Sequence, residues 1–558
     1  MLNKNALNYK DWITAFILFI LTILLSLHYY LLFLLNVDEG IALYGAKRIL
    51  MGQTLYKDFF DIVTPGTDYL LALIFKLFGT TLKAARLSII ITNSLNVVML
   101  LIISRKLIKG RKLAFIPPVL LMLSYISDLD YGAVSHHAFA IFFAILTLFL
   151  LMLFDNNKAL KWLLAGLGAS LTLLFLQSTG LALYGILSLY FVIRIVLNLN
   201  KRNKSAIHFP TLKGLSVYDR EIPSNPNLFP TEFILFSLSF WLPIIATLIF
   251  FMIKGGLHNF IYDIFIWPAG HYVVTNNVSF THFLHFPSIY EFIGLKRLPV
   301  SIIDVLFVSL GVIIYFPIML FFVGAIYIIQ QYWKNKIFED KFLFLLLILS
   351  TLFISEYINP SSLRLLLYFP FFLVIVFFIV QHSDRGFAGY ILKTISLCYL
   401  IGTVALSYNW YQKTYNYVIS DMPSIEVKTA AGKIILPDTS ADSIDSLLKI
   451  KFPRYSFILF WSPSLYFITG TNNPTMLNTY TPVYNTRAQA NKVIEQLEYF
   501  KPKLVIIDGY LNDLKQSRWR NVNPEVFNIK NDPLLNYISH NYKISRKIDD
   551  FYYIYELR

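Results

Sequence analysis

Long apolar runs separated by short polar turns dominate the chain. They fall at roughly 12–35, 82–103, 113–127, 135–154, 162–178, 180–197, 232–253, 300–330, 342–356, 364–381 and 389–408. Each approaches the about 20 residues that an α-helix needs to cross a bilayer. The run at 113–127 needs its flanks to reach across, and Pro317 predicts a kink, a tilt or a surface start in the run at 300–330. The pattern predicts about eleven spans. The first run is longer than a signal-peptide core and no small-residue cleavage site follows it, so a retained helix is expected. From about Tyr411 the pattern changes. GKIILP (432–437), YSFILFW (455–461) and KLVIID (503–508) read as short buried strands, with a helical pattern from Ala488 to Phe500 between them. Strands alternating with helix predict a small α/β domain over 411–558, behind a membrane domain over 1–410.

Composition narrows the class. At 56% hydrophobic and 15% charged residues, with a mean hydropathy of +0.58, the chain cannot hide its apolar surface in water, and a polytopic membrane protein follows. Its single cysteine, Cys398, lies in an apolar run, which excludes an intrachain disulfide or a CxxC metal or redox site. The net charge of +15 does not point to nucleic acid, because the bases gather at the ends of apolar runs and no aromatic-basic module is present. Lys4 and Lys10, then Arg105 to Lys112, Lys158 and Lys161, Lys201 to Lys204, and Lys334 to Lys341 all fall on one side if the N-terminus is cytoplasmic. The loops 36–81, 128–134 and 254–299, and with an odd span count the C-terminal domain, then face outward from a cytoplasmic (inner) membrane.

The stretch Asn36 to Gly79 holds the densest chemistry. Asp38 and Glu39 follow the first span directly, then come an amphipathic patch from Ile41 to Met51, the sequence LYKDFFD, and a Pro65-Gly66 turn. Carboxylates beside hydrocarbon are costly to desolvate, so they usually serve a function there. The bland alternative is that Asp38 only caps a short interfacial helix. No nucleophile elbow, P-loop or GxGxxG occurs in the C-terminal domain, and no internal repeat or inverted symmetry is visible.

The first-loop Asp-Glu, LYxDF, the PGxxY turn and LLALIFKLFG together resemble the first outer loop of the GT-C membrane glycosyltransferases. The similarity is to the protein-O-mannosyltransferase-like group, which includes the lipid A aminoarabinose transferase and the core galacturonosyltransferases. It is clearest over 12–200, with matches at 132–153, 177–180 and 364–370, and it fades in the C-terminal domain. The resemblance implies an inverting transferase that takes a sugar from a polyprenyl-phosphate carrier and hands it to a lipid, glycan or protein acceptor at the outer face. It implies no cofactor beyond that donor, is compatible with metal-independent catalysis in this branch, and leaves a metal requirement open. By analogy Asp38 is the base, with Glu39 as support or substitute. Desolvation beside apolar surface suits a carboxylate to that role.

Several residues are candidate donor or phosphate contacts in this reading. Lys57 and Asp58 lie in the first loop, and Asp128 and Asp130 in the second, where His136 and His137 enter the fourth span. Adjacent histidines on a helix point about 100° apart and chelate poorly together, which favours substrate contact over metal, against an alternative of simple interfacial hydrogen bonding. Arg364 and Tyr368 in SSLRLLLYFP resemble the Arg-Tyr…Pro entry of a late span, although Leu365 stands where the family's Tyr follows the Arg. A guanidinium suits phosphate, and snorkelling is its bland alternative. Thr64-Pro65-Gly66 replaces the Lys-Pro-Pro of the aminoarabinose branch, which argues against identity with it. His271 and Tyr272 in FIWPAGHYVV are weaker acceptor-loop candidates within what is also an ordinary aromatic belt. Gln177 to Gly180 reads as a short hairpin rather than a contact. The competing classes are a transporter or flippase of a polyprenyl-linked substrate and a glycan polymerase or ligase. The scarcity of acids inside the spans favours surface chemistry over transport.

Overall fold

The computed structural model describes residues 7–272 apart from 28–29, 34, 128–131, 155 and 206–227, then 324, 340–355 and 362–382, and finally 424–558 apart from 461, 483–484, 510–531 and 550. The expected runs 300–330 (but for residue 324) and 389–408 lie outside the described residues. Helix α1, Tyr9–Ser26, begins at a capping box in which Asn8 and Asp11 exchange backbone and side-chain hydrogen bonds. Six described helices are long and apolar enough to cross a membrane: α1, α4 (Leu82–Leu107), α6 (His136–Leu153), α7 (Lys158–Phe175), and the stretches Gln177–Ile195 of α8 (Gln177–Ser205) and Thr231–Lys254 of α9 (Leu228–Lys254). Helix α5, Arg111–Ser127, packs beside α4 and carries Pro117 and Pro118. Close approach between helices depends on small residues, as in other membrane bundles. A Cβ at Gly166 would stand 2.2 Å from the Phe236 carbonyl oxygen of α9, and one at Gly168 would stand 2.3 Å from Thr147 Oγ1 of α6.

One end of the bundle is basic and tied together. Asp11 accepts from Arg105 and Arg111, each at 3.0 Å, and Lys106 donates to the Met152 carbonyl at 2.7 Å. Helices α11 (Asp340–Ser355) and α12 (Ser362–His382) complete the described bundle, α11 against α6 and α8 and α12 against α4 and α5. Gln381 near the end of α12 exchanges two 2.6 Å hydrogen bonds with the Lys109 backbone. The start of α12 therefore lies at the opposite end of the bundle, one helix length away.

That opposite end carries the first loop. It contains α2 (Val37–Leu50) and α3 (Gly66–Phe78). The first apolar run does not stay helical to residue 35 as expected, because the chain after α1 pairs elsewhere. Phe33 N–H donates to Ile435 O (2.8 Å) and Ile435 N–H donates to Leu31 O (2.9 Å), so this segment extends a sheet of the C-terminal region. The capping alternative for Asp38 also fails: the cap of α2 is Asn36, which accepts from Glu39 N–H at 3.1 Å. Beyond α9, residues 257–272 form α10 (Leu257–Ile261) and two π-helical turns, Tyr262–Ile266 and Pro268–Tyr272.

The C-terminal region is α/β, as its strand-helix alternation predicts. A hairpin of β1 (Ser424–Thr429) and β2 (Gly432–Pro437) leads through α13 (Asp438–Leu448) to a four-stranded sheet. That sheet has the order β3-β4-β6-β5, with β3 (Ser456–Leu459) parallel to β4 (Leu504–Asp508), and β6 (Tyr552–Leu557) antiparallel to both β4 and β5 (Tyr542–Ile548). Helices α14 (Ser464–Thr469), α15 (Arg487–Phe500) and α16 (Pro533–Asn541) join them. The region shares a hydrophobic core with α2, α3 and α4. Tyr44 stacks on Tyr466 at 4.7 Å, its hydroxyl accepts from Asn473 N–H at 2.6 Å, and Phe60 N–H donates to Met476 O at 2.9 Å. Gly40 of α2 is a point of close approach to this region, since a Cβ there would stand 2.5 Å from Ser464 N, a backbone atom. Gly40→Ala is expected to destabilise the protein by about 1–3 kcal/mol through overpacking, read as a lower midpoint of thermal unfolding in detergent.

Candidate active site

The first turn of α2 places two neighbouring carboxylates in opposite environments. Glu39 points inward and is 1% exposed. Arg86 of α4 grips it with both arms, Nε to Oε1 at 2.8 Å and Nη2 to Oε2 at 2.6 Å. Val134 N–H also donates to Oε1 (3.1 Å), and Arg86 Nη1 donates to the Leu32 carbonyl. The segment after α1, the start of α2, the body of α4 and the entry to α6 thus meet on one ion pair. Asp38, one residue earlier, is exposed and takes no part in the capping. Because Val134 is fixed to Glu39, the half-buried His136 and His137 at the start of α6 lie beside the α2 N-terminus, their rings 4.2 Å apart and tilted by 39°.

Behind Asp38 the first loop is folded by its own side chains. Arg48, only 2% exposed, donates to Gln53 Oε1 (2.6 Å), Asn478 Oδ1 (2.9 Å) and Asp58 O (3.3 Å), and lies 4.5 Å over the Phe59 ring. Asp58 accepts from Thr54 N–H at 2.6 Å, which makes it a turn residue, and Lys57 is exposed beside Gly256. Lys47 donates to the Tyr466 carbonyl at 3.2 Å, and burial pushes its ammonium down to about 8. Gln177 does more than form a hairpin. Its amide donates to Ile62 O (2.8 Å) and Ile264 O (3.4 Å) and accepts from Thr64 N–H (3.4 Å), so it ties the first loop to the π-helical turn. Gly66 allows this docking, since a Cβ there would stand 2.5 Å from Leu174 O.

This stitching assembles buried acids that the sequence reading did not single out. Burial pushes Asp61 up to about 6, with the charge of Asp38 adding to the rise and the backbone N–H groups of Val63 and Ile62 opposing it. Burial and then Asp61 push Asp263 up to about 8, against the opposing pull of Lys492 on α15. Burial and Asp61 hold Asp68 well above the usual carboxylate range. Arg86 was likewise not singled out. Its only signal in the sequence is a base one turn inside an apolar run.

The remaining candidates are placed as follows. Asp128 and Asp130 lie outside the described residues, as do the side chains of Arg364 and Tyr368, whose backbone falls in the first turns of α12 at the end of the bundle that carries α2. His271 stacks on Trp267 (5.5 Å) and its Nδ1 lies 3.2 Å from the Trp267 carbonyl, while Tyr272 closes the second π-helical turn. Among the described residues no group of three His, Cys, Asp or Glu side chains is placed to hold a metal ion.

Comparison with known proteins agrees with this architecture. Residues 63–212 match the family described as dolichyl-phosphate-mannose-protein mannosyltransferase. The structure of ArnT from Cupriavidus metallidurans bound to undecaprenyl phosphate is similar with a TM-score of 0.52 at 11% identity, covering 98% of each chain. The Archaeoglobus fulgidus oligosaccharyltransferase tethered to an acceptor peptide scores 0.46 at 12% identity, over 90% of this chain and 70% of that one. The arabinofuranosyltransferase AftD from Mycobacteria scores 0.42 at 11% identity, over 99% of this chain and 40% of that one. No curated protein matches in sequence. The chain has the GT-C fold, as its resemblance implies.

Two outcomes follow from the site. Glu39→Gln alone is expected to cost about 3–5 kcal/mol, because it leaves Arg86 charged and buried, whereas Glu39→Leu with Arg86→Leu costs less than the sum of the single changes; a double-mutant cycle on unfolding free energies reads this. The raised Asp263 binds a proton in the folded state that the unfolded chain has released, so its contribution is full below the ordinary carboxylate range and is lost as pH rises to about 8. Asp263→Asn should flatten the decline of the thermal midpoint across that window.

Proposed function

We propose that the chain is an inverting glycosyltransferase that moves a sugar from a polyprenyl-phosphate carrier to a lipid, glycan or protein acceptor. The observation that carries this reading is the division between neighbours on α2: Glu39 is consumed by Arg86, and Asp38 is left open at the surface of the site. The carrier's isoprenoid tail stays in the bilayer, so its phosphosugar reaches the level of this first turn. There the Asp38 carboxylate takes the proton from an acceptor O–H or N–H as that atom attacks the anomeric carbon. The bond from that carbon to the phosphate oxygen breaks on the opposite side, and polyprenyl phosphate leaves with the electron pair. A positioned base of this kind contributes about 10²–10⁴-fold.

In this reading Glu39 is a positioning residue rather than a substitute base. The leaving phosphate is met by cations at the same end of the bundle, for which Arg364 and Lys57 are the candidates, with His136 and His137 as polar contacts to the sugar. Tyr368 follows Arg364 on the first turns of α12, Asp128 and Asp130 are further candidate contacts to the donor by their place in the sequence, and His271 and Tyr272 are candidates for the acceptor side. No cofactor enters the step, the lipid-linked sugar being the donor. The basic end formed by Arg105, Lys106 and Arg111 supports a cytoplasmic N-terminus by the positive-inside rule. The first loop and the C-terminal domain then face the outside of the cytoplasmic membrane. The domain walls one side of the site, since Met476 bonds Phe60 and Asn478 bonds Arg48.

The test is transfer of labelled sugar from a panel of polyprenyl-phosphate sugars in proteoliposomes. Asp38→Asn should lower transfer by about 10²–10⁴-fold while the thermal midpoint stays close to wild type. Undiminished transfer by that variant would overturn the assignment of the base. Movement of donor across the bilayer without any transfer would overturn the enzyme reading in favour of a flippase.

A further inference from the structure

The corner between α3 and α4 presents apolar and basic side chains together. Leu73, Leu77 and Phe78 of α3 are 53%, 65% and 73% exposed, and Leu70 and Ile74 beside them are half-buried. They form a stripe along α3, away from Leu71, Ala72 and Phe75, which are buried in the core shared with α2 and the C-terminal region. Phe75 stacks there on Phe467 at 5.5 Å. Lys76 borders the stripe and is exposed. Gly79 ends the helix at φ +90°, which glycine takes without strain, and Thr81 N–H donates to its carbonyl at 2.9 Å. The chain therefore turns directly into α4.

The β1–β2 hairpin closes this corner. Leu82 N–H donates to Ala431 O at 3.1 Å, and a Cβ at Gly432 would stand 3.5 Å from Thr81 Cγ2. The contact brings Lys83, next to Leu82, to the turn that joins Lys428 and Lys433. Those two are direct cross-strand partners, and all three lysines are exposed. Like charges directly opposite each other on a hairpin are destabilising. The exposed acid on these elements is Glu426, and Lys433 holds it at 2.6 Å. Among the described residues no acid pairs with Lys76, Lys83 or Lys428. These bases stand at the other end of α4 from Arg105 and Lys106, so the positive-inside rule does not account for them. An apolar stripe bordered by uncompensated lysines suits the boundary of a bilayer, where the stripe enters the acyl region and the ammonium groups reach lipid phosphates.

We propose that the α3–α4 corner and the β1–β2 hairpin form a docking surface for anionic phospholipids. Leu73, Leu77 and Phe78 enter the acyl region of the leaflet, and Lys76, Lys83 and Lys428 take the headgroups. A free phosphate would leave the stripe uncovered, and a zwitterionic lipid brings its own cation to the lysines. Asp68 of α3 lies against Gly45 of α2, where a Cβ would overlap its Oδ1, so docking of α3 also fixes the depth of α2 in the interface. Docking needs the first loop at the membrane boundary and is independent of sugar transfer.

The test uses the full-length protein in vesicles and reads no transfer. Phe78→Trp adds a fluorescent reporter at an exposed position, read as the difference in emission from wild type. Phosphatidylcholine with bromines on the acyl chains just below the headgroup should quench this emission. In equal mixtures of phosphatidylcholine and phosphatidylglycerol, brominating the phosphatidylglycerol should quench it more than brominating the phosphatidylcholine. The association constant for phosphatidylglycerol relative to phosphatidylcholine should fall about fivefold for each of Lys76→Gln, Lys83→Gln and Lys428→Gln, and should fall in high salt. Equal emission in brominated and plain vesicles would overturn the docking surface and leave the stripe to a second copy of the chain or another protein. Equal quenching by the two brominated lipids, or a preference unchanged when all three lysines are replaced, would overturn the recognition of anionic headgroups.

Discussion

A single buried ion pair organises the membrane end of this protein. Glu39 and Arg86 neutralise each other out of water, and the remaining capacity of each is spent on backbone: Val134 N–H on the carboxylate and the Leu32 carbonyl on the guanidinium. Desolvating two charges is expensive, and such a pair is retained when it fixes geometry that apolar packing would leave loose. Here it fixes the exit of α1, the start of α2, the body of α4 and the entry to α6. It also fixes the helical turn that holds Asp38, whose side chain, about 100° around the helix from Glu39, is exposed and outside the clamp.

The C-terminal domain is a wall of the same structure. The segment following α1 pairs with β2, Leu82 N–H donates to the Ala431 carbonyl at 3.1 Å where α4 begins, and Tyr44, Lys47 and Arg48 of α2 each reach across to it. These contacts share one hydrophobic core with α2 and α3. Any opening that admits a donor must therefore occur on another side of the site, because parting this interface would expose backbone hydrogen bonds and buried aromatic surface together.

Much of this was legible in the sequence, for physical reasons that differ from element to element. The apolar runs read correctly where helix length and hydropathy coincide, as in α4, α6 and α7. The strands β2, β3 and β4 read from short apolar runs bounded by turn residues. The first run misled at its end because Leu31–Phe33 satisfies its backbone on a strand about 400 positions away, and apolar composition alone does not distinguish that from helix. The place of Asp38 just after the first apolar run was legible, and the structure finds its side chain exposed. The fate of Glu39 was not, because its partner Arg86 lies 47 residues away inside an apolar run and only the packing of α2 on α4 brings them together. The same holds for Asp61, Asp68 and Asp263, whose proximity depends on Gln177 and on the close approach at Gly45.

The account stands most directly on what occupies the mouth of the site when donor is bound. The decisive measurement is a structure of the protein in lipid nanodiscs with a non-transferable polyprenyl phosphonate sugar. The account predicts the anomeric carbon facing the Asp38 carboxylate across a gap that an acceptor atom fills, the phosphonate turned toward the start of α12, and Glu39 still gripped by Arg86. A donor headgroup seated away from α2, or Glu39 released from Arg86 and turned onto the sugar, would contradict it.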